Sequence, residues 1–420
     1  MGEEAVAEGE EREDDTGSSA APTPQPPGTG EQPRRRSPFR LFRRAVVALV
    51  SVLALTATGY AYTALDALQD KVNTTDALRQ NDSDDEDEVP SPPPPEDDGA
   101  TDILLVGADS RTDMEGNPLP AATLRKLRTE GKSGVNTDTL IVLRIPDDGG
   151  SPTGVSIPRD TWVDVPHGNK DKINSVYGTA KWHAMRRLRG QGITERARLE
   201  RESDQAGRRA LVGVVQEFTR IRIDHYAEVN LLGFYLLTEA LGGVKVCLNQ
   251  ATWDPDSGAN FAAGVQVVSG GEALSFVRQR KNLPRGDLDR IVRQQAFLAS
   301  ALNKVLSAGT LTSTDRLDRL ADTVQRSLVL DSDLDLLEFA DKVRGVASGD
   351  ITFVTIPVVE IAARSPDGRQ SIVTVDVERV RSFVRDVVSG GASEVRPSGG
   401  GSAPAGARTQ ITAEGVTCVN

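Results

Sequence analysis

Apolar and polar positions along residues 100–388 repeat with two periods. Short runs with a repeat of two predict strands over 102–106, 139–145, 154–157, 244–248, 351–356 and 372–375. Longer runs, with apolar residues three and four apart, predict helices over 204–218, 231–241, 271–277, 288–306, 317–328, 334–346 and 377–388. Strands and helices mixed along one stretch argue for an α/β fold, a single α-β-α sandwich around a central mixed sheet. In such a sandwich the polar residues at strand ends, and in the loops that follow, build the site.

Outside that stretch the pattern changes. Residues 1–33 offer Glu and Asp, then Pro22, Pro24, Pro26 and Pro27, with little to bury, so 1–44 is expected to be a disordered tail. Residues 45–65 carry no charge and are about as long as one bilayer span. Arg34, Arg35, Arg36, Arg40, Arg43 and Arg44 precede them and Asp66 follows. The positive-inside rule then makes a single-pass anchor in the cell membrane, with the N-terminus cytoplasmic and the rest of the chain outside. A cleavable signal peptide is the competing reading, but no clean A-x-A site precedes Asp66. Residues 66–99 end in an acidic run and Pro92 to Pro95, which predicts an extended stalk, and 389–420 predicts a flexible tail.

The only cysteines, Cys247 and Cys418, both fall on the exported side, which favours one disulfide over two buried thiols. Three histidines and two cysteines without ligand spacing argue against a zinc site. A formal net charge of -12, an acidic tail and no helix-turn-helix signal argue against nucleic acid as a partner.

Against that acidic background, residues 276–295, FVRQRKNLPRGDLDRIVRQQ, hold five arginines and a lysine. Guanidinium groups grip phosphate oxygens through paired planar hydrogen bonds, so an anion site is one reading; a solvated helix laced with Asp/Arg pairs is the other. Arg278 and Arg280 alternate, and Arg290, Arg293 and Gln294 are expected on one helical face. Asp287 and Asp289 are interleaved, and carboxylates there either neutralise and orient these arginines or hold a metal beside a phosphate. The strand ends add Asp109 and Arg111 after ILLVG, Asp138 before the next strand, Arg159 and Asp160 after SIP, and then Lys172, Asn174 and Tyr177. Each alone is an ordinary turn, cap or local ion pair.

Together the ordered set VGADSR, NTDTLIVLRI, SIPRDTWVDVP, KINSVYG, LGGVKVCL and the arginine-rich segment resembles the LytR-CpsA-Psr family of cell-envelope enzymes. The resemblance covers 100 to about 388, and the ending GVTCVN is similar to actinobacterial members. It implies a membrane-anchored phosphotransferase that moves a glycopolymer from a polyprenyl-pyrophosphate carrier to a peptidoglycan hydroxyl, leaving a phosphodiester. Asp109 and Asp138 match the family's metal-binding carboxylates, which implies Mg2+ (or Mn2+), and either could help deprotonate the acceptor. Arg159 would act in catalysis with them. Arg111, Arg278, Arg280, Arg290, Arg293 and Gln294 would hold the pyrophosphate, with Lys172, Asn174 and Tyr177 lining the same cleft. The exported domain is expected to be monomeric.

The apolar run 231–241 is either a wall for the lipid or a buried core helix. Two segments depart from the family pattern: a basic insertion at 118–134, and an unusually long, charged 182–209. The alternatives in function are a pyrophosphatase that hands the phosphate to water, and a non-catalytic polymer- or lipid-binding regulator.

Overall fold

The computed structural model describes residues 73–78, 98–130, 134–166, 168–306, 323, 327–334, 351–389 and 416–420, all within one compact unit spanning 60–420. The expected tail 1–44 and anchor 45–65, and nearly all of the helices expected over 317–328 and 334–346, lie outside the described residues. No described helix is long and apolar enough to cross a membrane.

The first half of the chain forms β1 (Asn73–Thr75), β2 (Ala100–Ala108), α1 (Ala121–Lys126), β3 (Thr137–Pro146), β4 (Thr153–Ser156), β5 (Trp162–Asp164) and β6 (Lys170–Lys172). A long helical hairpin follows, α2 (Val176–Gly190) and α3 (Arg196–Thr219), then β7 (His225–Asn230) and α4 (Leu231–Ala240). Next come β8 (Val244–Leu248), β9 (Thr252–Asp254), β10 (Ala259–Phe261), β11 (Gly264–Val268), α5 (Gly270–Arg278) and α6 (Asp287–Leu306). The chain closes with β12 (Leu328–Asp331), β13 (Thr352–Thr355), β14 (Glu360–Arg364), β15 (Ser371–Thr374), α7 (Val377–Val388) and β16 (Cys418–Val419).

Seven strands make the central sheet in the order β1-β12-β7-β2-β3-β4-β13. β2 pairs parallel with β7 and antiparallel with β3, so the sheet is mixed. Alternation along β2 and β3 splits their side chains between two cores. Leu104, Val106, Leu140 and Val142 pack under α2, α3 and α7, whereas Leu105 and Ile141 face the layer of α5 and α6. Each buried Leu or Phe side chain contributes about 1.5–3 kcal/mol, so both helical layers are held mainly by these stripes.

α4 begins where the Asn230 side chain accepts the Gly233 N–H at 2.7 Å, and it ends at Gly242 and Gly243, both at positive φ. Its Phe234 packs on Phe297 with ring centroids 5.1 Å apart, but Leu232, Tyr235, Leu236 and Leu237 stay half-buried. It is therefore neither a fully buried core helix nor a bare surface.

Both predicted linkers are partly folded. β1, placed by sequence in the stalk, pairs with β12 at the sheet edge although its residues, Asn73, Thr74 and Thr75, are all polar, and Ala77 just beyond it is buried in the core. At the other end β16 pairs with β8, Cys418 opposite Cys247, and a disulfide joins the two. Val419 thereby reaches the core.

Candidate active site

β2 delivers Asp109 to the end of the central sheet. Its N–H donates to Asn136 O at 2.9 Å, and its Oδ1 accepts the Asn136 N–H at 2.8 Å, so the carboxylate is held against the start of β3. Arg111 donates from Nη1 to Asp109 O at 2.8 Å and stands 3.5 Å from Asp109 Oδ2. Asp138 opens β3 beside the irregularity at Gly107 and Ala108. Burial raises the Asp109 pKa, and the charge of Asp138 adds to the rise; the Asn136 N–H and the cations Arg111 and Arg278 oppose it.

Arg159 follows β4 and donates from Nη1 to Asp138 Oδ1 at 2.5 Å, while its Nε lies 3.7 Å from Asp160 Oδ1. Burial works against its charge, but Asp138, Asp160 and Asp287 more than offset that and raise its pKa. Asp160 is buried and gathers cations: Lys172 Nζ at 3.1 Å and Arg280 Nη2 at 3.9 Å. From the other half of the chain, Arg290 pairs with Asp287 at 2.7 Å and is only 2% exposed. Burial pulls the pKa values of Arg290 and Arg278 down.

Of these side chains, Asp138, Arg159, Asp160, Arg278, Arg280, Asp287 and Arg290 line a cavity of about 630 Å3. Buried Nε of Arg159 and Nε of Arg290 have no hydrogen-bond partner, whereas Nη2 of Arg290 is held by Asp287. Unsatisfied buried guanidinium N–H groups are costly, and an oxyanion would satisfy them. The cavity is nonetheless not simply positive. Asp138, Asp160, Asp254, Asp256 and Asp287 balance Arg159, Arg278, Arg280, Lys281 and Arg290 around it. Asp254 is committed to the chain, accepting the Arg280 N–H at 3.1 Å and the Lys281 N–H at 3.3 Å, and Asp256 pairs with Lys281 at 2.7 Å. The opposite lip is apolar: Ile361, Ile372 and Val373 from β14 and β15, with Ala362 at φ 61 in a bulge.

Among the expected site residues, Asp138, Arg159, Arg278, Arg280, Arg290 and Gln294 line the cavity. Asp109 and Arg111 adjoin it through Asp138 and Arg278. Lys172 does not line it, and its ammonium is instead held by Asp160. Asn174 is buried, and its backbone N–H supports Arg159 O at 3.1 Å. Two expectations fail outright. Tyr177 lies fully inside the α2–α3 packing, its hydroxyl donating to Asp204 at 2.9 Å. Arg293 is fully buried on an adjoining face of α6, donating to Gln279 Oε1 at 2.7 Å and to Asn420 O, with its guanidinium 5.2 Å from the Phe276 ring centroid. At about 100° per residue, Arg290 and Gln294 are about 40° apart on the helix while Arg293 turns about 60° the other way. Asp254 and the β14–β15 lip were not foreseen; their spacing of more than twenty residues from the arginines left no local signal.

No group of three or more His, Cys, Asp or Glu side chains among the described residues forms a metal cluster. Asp138 in the cavity lining and Asp109 beside it are neighbouring hard oxygen donors.

The fold and the cavity define an α/β protein with an arginine-lined cavity at one end of a mixed sheet. Residues 60–382 match the LytR_cpsA_psr family, and the chain belongs to it. It is 47% identical over 358 residues to the cell wall biosynthesis protein LcpA of Corynebacterium glutamicum, an alignment covering 85% of this chain and 67% of that one. It is also 30% identical over 299 residues to the polyisoprenyl-teichoic acid--peptidoglycan teichoic acid transferase TagU of Oceanobacillus iheyensis, covering 71% and 79%. Among solved structures, protein gbs0355 from Streptococcus agalactiae shares the fold, with a TM-score of 0.50 at 19% identity over 71% of this chain and 90% of that one.

Proposed function

We propose that this protein is a membrane-anchored phosphotransferase that moves a glycopolymer from a polyprenyl-pyrophosphate carrier to a peptidoglycan hydroxyl. The observation that carries this reading is the convergence of Arg159, Arg278, Arg280 and Arg290 on one cavity, with buried N–H groups lacking partners. The names of LcpA and TagU support the same reaction class. The apolar run 45–65, arginines before it and Asp66 after it, supports an anchor with the catalytic domain outside the cell.

In this reaction the acceptor oxygen attacks the phosphorus that carries the glycopolymer. The P–O bond to the prenyl-linked phosphate breaks, and its electron pair leaves with a prenyl monophosphate. Arg278, Arg280 and Arg290 stabilise the charge on that leaving phosphate, and Arg159 bridges the transferred phosphoryl group and Asp138. Asp109 takes the hydroxyl proton, because burial and the neighbouring Asp138 raise its proton affinity. Asp138 would hold Mg2+ or Mn2+, with Asp109 kept as the base, and such an ion would supply charge neutralisation at the pyrophosphate. Its hard oxygens fit such an ion, and the balanced charge of the cavity leaves the pyrophosphate charge for it to offset.

The test uses full-length protein in detergent with a prenyl-pyrophosphate-linked oligosaccharide and a peptidoglycan acceptor. Product that requires the acceptor and disappears in Arg159→Ala supports transfer. A wild-type protein that releases prenyl monophosphate equally fast with and without acceptor, joining no polymer to it, hands the phosphate to water and would overturn it.

A further inference from the structure

The α2–α3 hairpin gives no side chain to the cavity, yet its tip is basic and half-apolar in a chain of net charge -12. Trp182 is 52% exposed, and the guanidinium of Arg186, one turn along, stands 4.7 Å from the centroid of its ring. Met185 and Arg189 continue the same helical face. Past the helix end, Ile193 and Arg196 join Met185, Arg189 and the buried Leu199 around a groove of about 600 Å3. Thr194 and Glu200 complete the lining, Glu200 being neutralised by Lys181 at 2.6 Å, and the two guanidiniums stand at the exposed margin of the groove.

Strand register fixes which side of the molecule this tip occupies. Asn73 lies opposite Val329, Val329 opposite Glu228, and Glu228 opposite Val106, so β1 enters the sheet beside the end of β2 that delivers Asp109. β1 then runs away from that end, and Thr75 hydrogen-bonds Gln205 of α3. From Gln205 back to Arg196, α3 rises about 13 Å at about 1.5 Å per residue. That stretch meets the loop after Asp109, where Arg201 donates to Glu115 O at 2.7 Å and a Cβ on Gly116 would come within 2.7 Å of Ala197 O. Hairpin tip, entry of the chain and candidate active site therefore share one end of the domain.

Only residues 66–72 separate the apolar run from Asn73. Seven residues span at most about 25 Å. With 45–65 in a bilayer, Asn73, at the same end of the sheet as Asp109, can stand no farther than that from the lipid surface.

We propose that the α2–α3 tip docks on the anionic phospholipid surface of the membrane, with Trp182, Met185 and Ile193 in the interfacial layer and Arg186, Arg189 and Arg196 on lipid phosphates. An indole with an apolar body and a polar edge suits that layer, and arginine stems bury along it while their heads reach phosphate. Docking holds the arginine-lined cavity against the membrane that carries a prenyl-linked donor. The proposal rests on the anchor reading above.

Full-length protein is reconstituted into vesicles of phosphatidylcholine alone, or mixed with phosphatidylglycerol, with brominated acyl chains as quenchers. The Trp182 signal is the difference between wild type and Trp182→Phe. Quenching in phosphatidylglycerol vesicles that weakens in high salt, and falls by roughly fivefold in the docking equilibrium for each of Arg186→Gln, Arg189→Gln and Arg196→Gln, is the expected result. Because these side chains are exposed, the variants should keep the wild-type thermal transition, which is measured alongside. Equal Trp182 emission in plain and brominated vesicles overturns the proposal, as does quenching indifferent to all three arginines. The anchor is read separately: protein washed from neutral vesicles by high salt refutes the anchor, and added phosphatidylglycerol vesicles then test the tip alone.

Discussion

Arg159 donates to Asp138 at 2.5 Å, tying the residue group after β4 to the mouth of β3 and placing one guanidinium between a carboxylate and the anion cavity. The pair spans 21 residues in sequence. A lysine keeps the charge but offers no planar fork, so it cannot hold Asp138 and a phosphate oxygen at once.

Arg159→Lys should therefore lower kcat by about 10²-fold, and Arg159→Ala by about 10³-fold, with the donor still bound through Arg278, Arg280 and Arg290. Transfer rates and donor affinity measured on both variants check this. A lysine variant within a few-fold of wild type would remove Arg159 from the chemistry.

Much of the architecture could be read from hydrophobic periods, because the long strands and the apolar-faced helices bury side chains at regular intervals. The expected 231–241, 271–277, 288–306 and 377–388 fall close to α4, α5, α6 and α7. β7 escaped notice although it lies beside β2, since His225, Glu228 and Asn230 make it look polar. Glu228 is buried against Arg208, and Lys181 against Asp204, so charges that read as solvated in the sequence are internal ion pairs. The same effect hid α2 and the start of α3, which looked like a charged departure from the family. At the site, motif residues at strand ends converged. Arg293 did not, because a helix places three-apart residues on related but not identical faces, and the disulfide-pinned end of the chain supplied an inner partner.

Arg293 and Arg280 should separate stability from binding. Arg293 is buried on Gln279 and Asn420, so Arg293→Ala leaves those acceptors unpaired and should cost about 3 kcal/mol of unfolding free energy. Arg280, more than half exposed, should change stability by less than about 0.5 kcal/mol as Arg280→Gln while raising the donor KM. Denaturant melts and donor titrations read the two effects.

The buried Arg208–Glu228 pair sets an acidic limit on the fold. Burial opposes the Glu228 charge, but the Arg208 cation and the hydrogen bonds from Arg208 and Tyr226 win and lower its pKa. A carboxyl with a depressed folded pKa stabilises the fold above its unfolded value of 4.5, and that contribution is lost as pH falls through the folded value. Glu228→Gln should remove this acid limb and cost about 3–5 kcal/mol at neutral pH, because Arg208 is left buried without its partner. Thermal melts from neutral to acid pH measure both.

Asp109 gives the pH dependence of the reaction. As a base it works deprotonated, so kcat/KM should rise with pH through a pKa above the ordinary carboxylate value of 3.8. The Arg278 cation lowers that pKa, so Arg278→Gln should move the rising limb to higher pH. A limb unmoved in Arg278→Gln, or moved to lower pH, would assign it to another group.

The central claim is that the bond broken lies between the two phosphates of the donor. Mass spectrometry with ³¹P NMR of products from full-length protein, a prenyl-pyrophosphate-linked glycopolymer and a peptidoglycan acceptor tests this directly. The account predicts one phosphorus joining polymer to acceptor as a phosphodiester, with prenyl monophosphate released. Prenyl pyrophosphate released with no phosphorus in the product would mean cleavage at the sugar carbon and would contradict it.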